Sequence, residues 1–387
     1  MKLSKGSTIA LSVILTLTII TGCSDGKEHM DDLGIISEIS IESETAGSHK
    51  EDLYNKPIET MDKTEDCLKN TRPYGMFIKN GIIGLLIEDY EANTIVLTDG
   101  KGNVINKIRL PFRRSVYYEN CEVYKEGIVL HGKNNRVCFF DISAAKLTEI
   151  EIPKDIADKI DVHNSFTYLP EKNAIAYASE EGALYMYANG QDCLLYQGDI
   201  FNSDSFIPCD VKGTYNQKKL MICGYINKTD PQTGYCYKCI GLYDFETQKL
   251  EWEKSEDERM ICTPNADIFC LSSGGSLMQG EKTGNVHAML STGEITVKMD
   301  IVSAENIIDY IPAMESFLCV EKLDGGNVYM IDKEGNKKSI DIGYDCPDLT
   351  AVNEDGTVVA GTAIVNDDKK EDFTSVLYVM ELGEGND

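Results

Sequence analysis

The feature that most constrains the fold is a unit of four short strands that recurs, approximately, seven times along the chain. Each copy has an apolar third strand, then a tight polar turn, then a fourth strand. The third strands end at Asp99, Asp141, Ala188, Asp244, Leu290, Asp332 and Glu381. Consecutive copies therefore lie between 42 residues (Asp99 to Asp141) and 56 residues (Ala188 to Asp244) apart. Helical i, i+3, i+4 stripes are nearly absent, and the longest helical segment, 156–160, spans about one turn.

A period in the forties with four strands per unit is typical of a β-propeller. A single four-stranded sheet cannot bury both of its faces, whereas seven sheets stacked around an axis bury all of them. The sequence therefore predicts an all-β fold, a seven-bladed β-propeller of four-stranded blades, over residues 67–387.

The last unit shows only three strands, at 349–352, 357–365 and 374–382. A ring of blades needs closure, because an open edge strand invites aggregation. The segment 34–41 has the composition of a strand, with isoleucine at alternating and neighbouring positions. Two interpretations stay open: this segment is the missing outer strand of the last blade, or it is part of a linear tether.

The first 23 residues carry a more local signal. Lys2 and Lys5 precede an apolar run over residues 9–20. A basic start and about a dozen apolar residues are typical of an export signal, since a membrane-spanning helix needs about 20. The run leads into Ile20, Thr21, Gly22 and Cys23. An aliphatic residue, two small residues and a cysteine resemble the lipobox of bacterial lipoproteins.

The lipobox resemblance implies that the signal peptide, residues 1–22, is removed and that Cys23 carries a diacylglyceryl thioether. Small Thr21 and Gly22 let a peptidase approach the backbone, and a thiolate is the chain's best nucleophile for alkylation. Two acyl chains anchor a protein far better than one. We therefore predict a lipid-anchored protein on the extracytoplasmic side of the cell membrane. The alternative is an ordinary secretory signal followed by a chance cysteine.

Residues 23–66 are predicted to form an acidic, flexible tether after the lipidated Cys23. Asp and Glu outnumber Lys there, with Ser, Thr and Gly between them. The whole chain has a net charge of −27 at pH 7. This charge argues against a nucleic-acid partner, because Lys and Arg must neutralise the phosphates. It also argues against adhesion to an anionic lipid surface.

Thirteen cysteines include Cys23. Export favours disulfides, but Cys138, Cys223 and Cys319 lie inside apolar strand patterns, where a free cysteine behaves as a small buried hydrophobe. We therefore predict mostly reduced core thiols. Cys236 and Cys239 have the spacing of a redox or zinc pair. A redox pair needs a helix N-terminus and a zinc site needs two further ligands, so a disulfide or plain thiols on a strand is preferred.

Other motifs assign no catalytic or metal site. In the glycine-rich segment 275–283, Glu281 separates the second glycine from Lys282, whereas a phosphate loop requires lysine directly after that glycine. The acidic turns 353–357 and 366–368 lack the ligand positions of a calcium loop and are interpreted as ordinary turns. The histidines show no metal-binding spacing; they are His29, His49, His131, His163 and His287. We predict no cofactor and no metal, and leave catalytic and ligand-binding residues unassigned.

Tyrosine is abundant, with 20 residues, and offers rigid contact area with a polar end. Candidates for a recognition face are Tyr117, Tyr118, Tyr185, Tyr187 and Tyr215. Tyrosine is also a favoured strand residue, so a purely structural role for each stays open.

From about residue 70 onward, the repeats resemble those of bacterial seven-bladed propellers of the quinoprotein-like and WD40-like kind. Trp252 is the single tryptophan, whereas WD40 repeats carry a Trp-Asp pair in each blade. The resemblance therefore implies the fold and not an activity. We predict a binding or scaffolding module at the cell surface that engages a protein, peptide or glycan. The alternative is an extracellular enzyme acting on carbohydrate or peptide, with carboxylates or histidines converging on the central channel.

Overall fold

The structure of the protein, a computed structural model, describes residues 35–40, 68, 71–88, 93–112, 121–160, 166–229, 236–255, 258–273, 285–291, 296–299, 307–320, 326–344, 347–366 and 373–382. In these ranges the chain is nearly all β-structure, folded into seven antiparallel sheets. Neighbouring sheets contact one another in sequence, and the seventh contacts the first. The predicted fold class, a seven-bladed β-propeller, is confirmed.

The sheets are numbered as blades in chain order. Strand β1 (Ile35–Ser40) precedes them. Blade 1 contains β2 (Pro73–Lys79), β3 (Ile82–Glu88), β4 (Asn93–Thr98) and β5 (Val104–Arg109). Blade 2 contains β6 (Cys121–Val123), β7 (Ile128–His131), β8 (Val137–Asp141) and β9 (Lys146–Ile150). Blade 3 contains β10 (Phe166–Leu169), β11 (Ala174–Ala178), β12 (Ala183–Ala188) and β13 (Gln191–Gln197). The single-turn helix α1 (Lys154–Ala157) lies between blades 2 and 3.

Blade 4 contains β14 (Phe206–Gly213), β15 (Lys219–Thr229), β16 (Cys236–Asp244) and β17 (Lys249–Ser255). Blade 5 contains β18 (Glu258–Cys262), β19 (Asp267–Ser273), β20 (Asn285–Leu290) and β21 (Thr296–Met299). Blade 6 contains β22 (Ile307–Ile311), β23 (Ser316–Val320), β24 (Val328–Asp332) and β25 (Lys337–Ile340). Blade 7 contains β26 (Pro347–Val352), β27 (Val358–Asn366) and β28 (Phe373–Glu381).

The aspartates that end several third strands hold the turn to the fourth strand. The Asp99 carboxylate accepts a hydrogen bond from the Asn103 backbone N–H at 2.8 Å and one from its side-chain amide at 2.8 Å. Asp332 accepts the same pair from Asn336, at 2.8 and 2.9 Å. These donors stabilise the ionised carboxylate and hold the pKa of Asp332 below its ordinary value. The repeat seen in the sequence is therefore a repeat of side-chain-capped turns.

The hydrophobic core lies mainly between blades. Leu85 and Val96 of blade 1 pack in one buried cluster with Leu377 and Val379 of blade 7. The ring is also closed here by Arg72, whose Nε donates to Asp348 Oδ2 at 2.7 Å. Apolar burial across this junction, rather than a covalent link, therefore holds the first and last blades together.

The segment predicted to close the last blade pairs elsewhere. It forms a strand, as its composition indicated, but β1 pairs antiparallel with β9, with Ile39 opposite Leu147. Blade 2 thus gains a fifth, outermost strand, while blade 7 has three strands in the described ranges. The hypothesis that 34–41 completes the last blade is wrong. Composition predicts a strand but not its partner, because every edge strand offers the same unpaired backbone groups.

Several predictions fall on residues outside the described ranges. These are the signal peptide, the cleavage residues, Cys23, the remainder of the tether and the segment 275–283. Within the ranges that are described, no helix has the length and hydropathy required to cross a membrane.

Candidate functional site

The first strand of each blade lies innermost, because these strands contact the first strands of neighbouring blades. The turns that follow them meet at one end of the central axis. We call this the capped end, and its central residues are Lys79, Tyr215 and Glu354.

Tyr215 closes the axis at the capped end. It lies in the turn between β14 and β15 of blade 4, and its hydroxyl donates to Glu354 Oε1 of blade 7 at 2.7 Å. Lys79 Nζ, at the end of β2 in blade 1, donates to the same oxygen at 2.6 Å. The Lys79 side chain is only 4% exposed. Burial alone would raise the pKa of Glu354, but the bonds from Lys79 and Tyr215 hold it below its ordinary value.

Further hydrogen bonds fasten the Tyr215 turn to the other blades. The Tyr215 N–H donates to Asp267 Oδ1 of blade 5 at 3.1 Å. The Lys125 N–H of blade 2 donates to the Tyr215 carbonyl at 3.3 Å. Burial raises the pKa of Asp267 to about 6. The turn therefore joins blades on opposite sides of the ring and blocks this end of the channel.

A cavity of about 130 Å³ lies next to the capped end. Residues from five blades line it, among them Met76, Cys121, Cys262, Asp309 and Thr350. Pockets that enclose a small ligand measure about 300–1,000 Å³. At about 30 Å³ for each water, this cavity is the size of a few water molecules.

Asp309 is the carboxyl in the wall of this cavity. It is buried, and its oxygens accept hydrogen bonds from the Thr263 hydroxyl, from Asn265 Nδ2 at 2.8 Å and from the Tyr310 N–H at 2.7 Å. Burial raises the pKa of Asp309 to about 7. The carboxyl thus binds donors of the protein itself, in an arrangement that fixes the turn after β18 against β22.

A second buried acid, Glu122, lies between blades 2 and 3. Its Oε2 accepts from Thr167 Oγ1 at 2.6 Å and from the Tyr124 hydroxyl at 2.9 Å, and it lies 3.5 Å from His131 Nε2. Burial alone would raise the pKa of Glu122, yet His131 and Lys212 hold it below its ordinary value. Glu122, Tyr124 and Thr167 thus hydrogen-bond one another between the blades, and neither they nor His131 line the axial cavity.

The structure separates the tyrosines that the sequence offered for recognition. Tyr215 caps the axis. Tyr185 stacks on Tyr177 with ring centroids 5.4 Å apart, and Tyr187 is buried in the same cluster. Tyr117 and Tyr118 lie outside the described residues. Of the histidines, His131 is buried between blades 2 and 3, and the backbone of His287 lies in β20.

The cysteines whose side chains the structure describes are free thiols, in agreement with the preferred interpretation. They are Cys121, Cys138, Cys193, Cys209, Cys223, Cys236, Cys239, Cys262 and Cys319. Cys236 is exposed and Cys239 is buried, because residues three apart on a strand project to opposite faces. Burial raises the pKa of Cys319 to about 12. No group of three or more His, Cys, Asp or Glu suited to a metal occurs among the described residues.

The turn at 353–357 is stabilised by hydrogen bonds to the side chain of its own first residue. Asn353 Oδ1 accepts from the backbone N–H groups of Thr357 and Val358, at 2.8 and 2.9 Å. This is the ordinary turn that the sequence predicted.

Among the residues that the structure describes, the most exposed large apolar residue is Phe201, at 93%. It lies in the loop between β13 and β14, and its neighbour Ile200 is also exposed. The loop is held in place, because the Phe201 N–H donates to Asp199 Oδ1 at 3.0 Å and Asn227 Nδ2 donates to the Ile200 carbonyl at 2.6 Å. The exposed pair Ile200 and Phe201 was not predicted from the sequence, although two apolar residues inside a polar loop indicate such a site.

No protein-family model matches the chain, and no curated protein sequence matches it. Among solved structures it is similar to an oligogalacturonate lyase from Vibrio parahaemolyticus, with 14% identity over 79% of this chain and 82% of that chain, and a TM-score of 0.44. It is similar to the β-propeller domain of the Trilobed protease from Pyrococcus furiosus, with 11% identity over 83% and 99%, and a TM-score of 0.47. It is also similar to BamB from Moraxella catarrhalis, with 9% identity over 79% of this chain and 82% of that chain, and a TM-score of 0.39. Likeness at this level assigns no activity. The sheet topology itself makes the chain a seven-bladed β-propeller.

Proposed function

We propose that the chain is a lipid-anchored, extracytoplasmic propeller that binds a protein, peptide or glycan partner on its outer surface. The observation that carries the binding role is the exposed Phe201 on a loop fixed by hydrogen bonds. An aromatic ring held in water costs free energy that burial against a partner recovers. Because the loop is already fixed, binding orders few additional groups, which lowers its entropic cost.

The interior of the ring supports the same conclusion. The cavity next to the capped end is smaller than a pocket that encloses a ligand. Its carboxyl, Asp309, is occupied by Thr263 and Asn265. Among the described residues, the outside of the disc therefore gives a partner more surface to contact than this cavity does.

The location in this proposal rests on the sequence. The lipobox from Ile20 to Cys23 supplies the anchor, and the acidic tether over 23–66 separates the propeller from the bilayer. Repulsion between an acidic chain and anionic lipid keeps the disc away from the surface. The outer faces of the blades are then accessible to other envelope components.

Replacing Phe201 with serine is expected to remove the bound partner without unfolding the propeller, because the side chain makes its main contacts outside the chain. The measurement is quantitative mass spectrometry of proteins and glycans that co-purify with the solubilised, lipidated chain. The matched control is Leu194→Ser, which removes another exposed apolar side chain, 53% exposed, from β13. Equal losses from both variants, or no loss from Phe201→Ser, would contradict a binding role for this loop.

Replacing Cys23 with alanine is expected to abolish acylation and to release the chain from the membrane. Cells are grown with an alkyne-labelled fatty acid, and the label on the purified protein is measured. Cys67→Ala, which changes a cysteine after the tether, is the control and should keep the label. Label that persists in the Cys23→Ala chain would overturn the lipoprotein assignment.

A further inference from the structure

Blade 7 presents an open strand edge in the described part of the molecule. Each of the other six sheets covers its third strand with a fourth, whereas β28 is the outermost strand of a three-stranded sheet. The side chains of Val376, Leu377, Tyr378 and Val379 are buried on the two faces of β28. Half of the N–H and C=O groups of such an edge strand point away from its partner. Among the described residues, the place of a fourth strand in blade 7 is therefore an open groove with backbone hydrogen-bonding groups of β28 at its base; we call this groove the slot.

The outer strand of blade 6 forms one wall of this slot. Met330 packs in the buried cluster between blades 6 and 7. Lys338 of β25 lies directly opposite Met330 in the sheet, and opposed residues of an antiparallel pair project to the same face. Lys338 therefore projects from blade 6 toward blade 7, and it is exposed.

The outer strand of blade 1 forms the other wall. Val96 packs in the cluster between blades 1 and 7, and Lys107 of β5 lies directly opposite it. Lys107 is exposed and projects toward blade 7. Arg109, two residues further along β5, projects to the same side. The middle of the slot thus has a lysine on each wall, in a chain whose net charge is −27.

One end of the slot, where the third strands of blades 6 and 7 end, carries acidic residues. Glu381 ends β28, and Asp332 ends β24 beside the slot. Asp332 is engaged by Asn336 in its own turn.

We propose that the slot beside β28 binds an extended, acidic segment of a partner protein, which adds to blade 7 as its fourth strand. Main-chain hydrogen bonds to β28 supply the affinity, as in other cases of strand addition. Side chains of an extended segment alternate between two faces, so acidic residues on both faces meet Lys107 on one wall and Lys338 on the other. The surface is distinct from the Phe201 loop, and its test is independent of that loop.

The probe for this proposal is a fluorescein-labelled peptide of about ten residues, close to the upper range of natural strands. It consists of Val, Thr and Glu, with glutamates in its middle on both faces. One control peptide has lysine in place of glutamate. A second has a central proline, which cannot donate to a ladder. We expect the solubilised full chain to bind the acidic peptide and neither control peptide, with affinity that falls as salt rises.

The charge-reversed variant Lys107→Glu/Lys338→Glu is expected to weaken binding by about tenfold or more, since two exposed ion pairs become repulsions. The matched control is Lys154→Glu/Lys249→Glu, which changes two exposed lysines on the far side of the ring, one in α1 and one on β17 of blade 4. Thermal melts establish that both variants are folded. Equal binding by the two variants, or equal binding of the proline peptide, overturns the proposal.

Hydrogen exchange locates the bound peptide. We expect the β28 amides that point away from β27 to exchange readily in the free chain and to gain protection when the acidic peptide is added. Protection of these amides in the free chain at all concentrations would show that another segment of the same chain fills the slot. Protection that grows with protein concentration would show that a second copy fills it. Either result overturns the proposal.

Discussion

Asparagine in place of Asp309 is expected to stabilise the protein above pH 7 and to flatten the pH dependence of its unfolding. Burial raises the pKa of Asp309 to about 7, whereas the unfolded carboxyl titrates near 3.9. Between these values the folded state holds a proton that the unfolded state has released. The stability from this group is therefore complete below about pH 4 and is lost as pH rises to about 7.

The size of the change in stability follows from the difference between the folded and unfolded pKa of Asp309. A difference of about three pH units corresponds to about 4 kcal/mol at most, at about 1.4 kcal/mol per unit. Asparagine is neutral throughout. Its carbonyl can still accept from Thr263 and from the Tyr310 N–H, but its amide then faces Asn265 Nδ2, and that lost hydrogen bond offsets about 1–3 kcal/mol of the gain. The wild-type chain should therefore lose stability between about pH 4 and pH 7, and the variant should lose less.

The measurement is urea unfolding of both chains at several pH values. Asp267, whose pKa burial raises to about 6, titrates in both chains and leaves a shared residual slope. The control Asp355→Asn changes an exposed turn carboxyl and should reproduce the wild-type profile. Parallel curves for wild type and Asp309→Asn would show that the Asp309 carboxyl does not hold its proton in the folded state.

Replacing Glu354 with alanine is expected to lower the free energy of unfolding by about 2–3 kcal/mol, because it leaves the buried Lys79 ammonium without its carboxylate. The Lys79 side chain is 4% exposed and the Glu354 side chain 29%. Breaking a buried pair costs about 3–5 kcal/mol, and the partial exposure of Glu354 lowers this figure. The change Lys79→Met should cost less, because the carboxylate left behind can be hydrated.

A double-mutant cycle separates the pair from other losses. The chain with Lys79→Met and Glu354→Ala together should be more stable than Glu354→Ala alone, since the buried charge is gone. Tyr215→Phe removes the hydrogen bond to Glu354 and a long one of 3.4 Å from Lys79, and it should cost about 1 kcal/mol. If the two single changes simply add, Lys79 and Glu354 do not interact, and the cap is held by its other bonds.

The repeat predicted the blades well because its signal is local. All seven third strands end within one residue of the predicted positions, from β4 at Thr98 to β28 at Glu381. An apolar run followed by an aspartate that bonds to its own turn, as at Asp99 and Asp332, is written in a few consecutive residues. Such short-range patterns require no knowledge of what packs against them.

Features that depend on distant partners were harder to predict. The spacing of Cys236 and Cys239 suits a helix or a loop, and on β16 it places the thiols on opposite faces. The partner of β1 could not be chosen, because pairing depends on which edge is accessible in the assembled ring. The capped end was missed because Tyr215 meets Glu354 only through the ring, and no local pattern marks it.

The position of Tyr215 also orders the assembly of the fold. Its partners Lys79 and Glu354 are 136 residues before it and 139 residues after it. Closing loops of this length costs conformational entropy before any contact is gained. Blades can form from neighbouring strands, but the bonds at the axis require the first, middle and last blades to be in place together. The hydroxyl of Tyr215 is therefore a natural reporter of the final step of folding, after the individual sheets have formed.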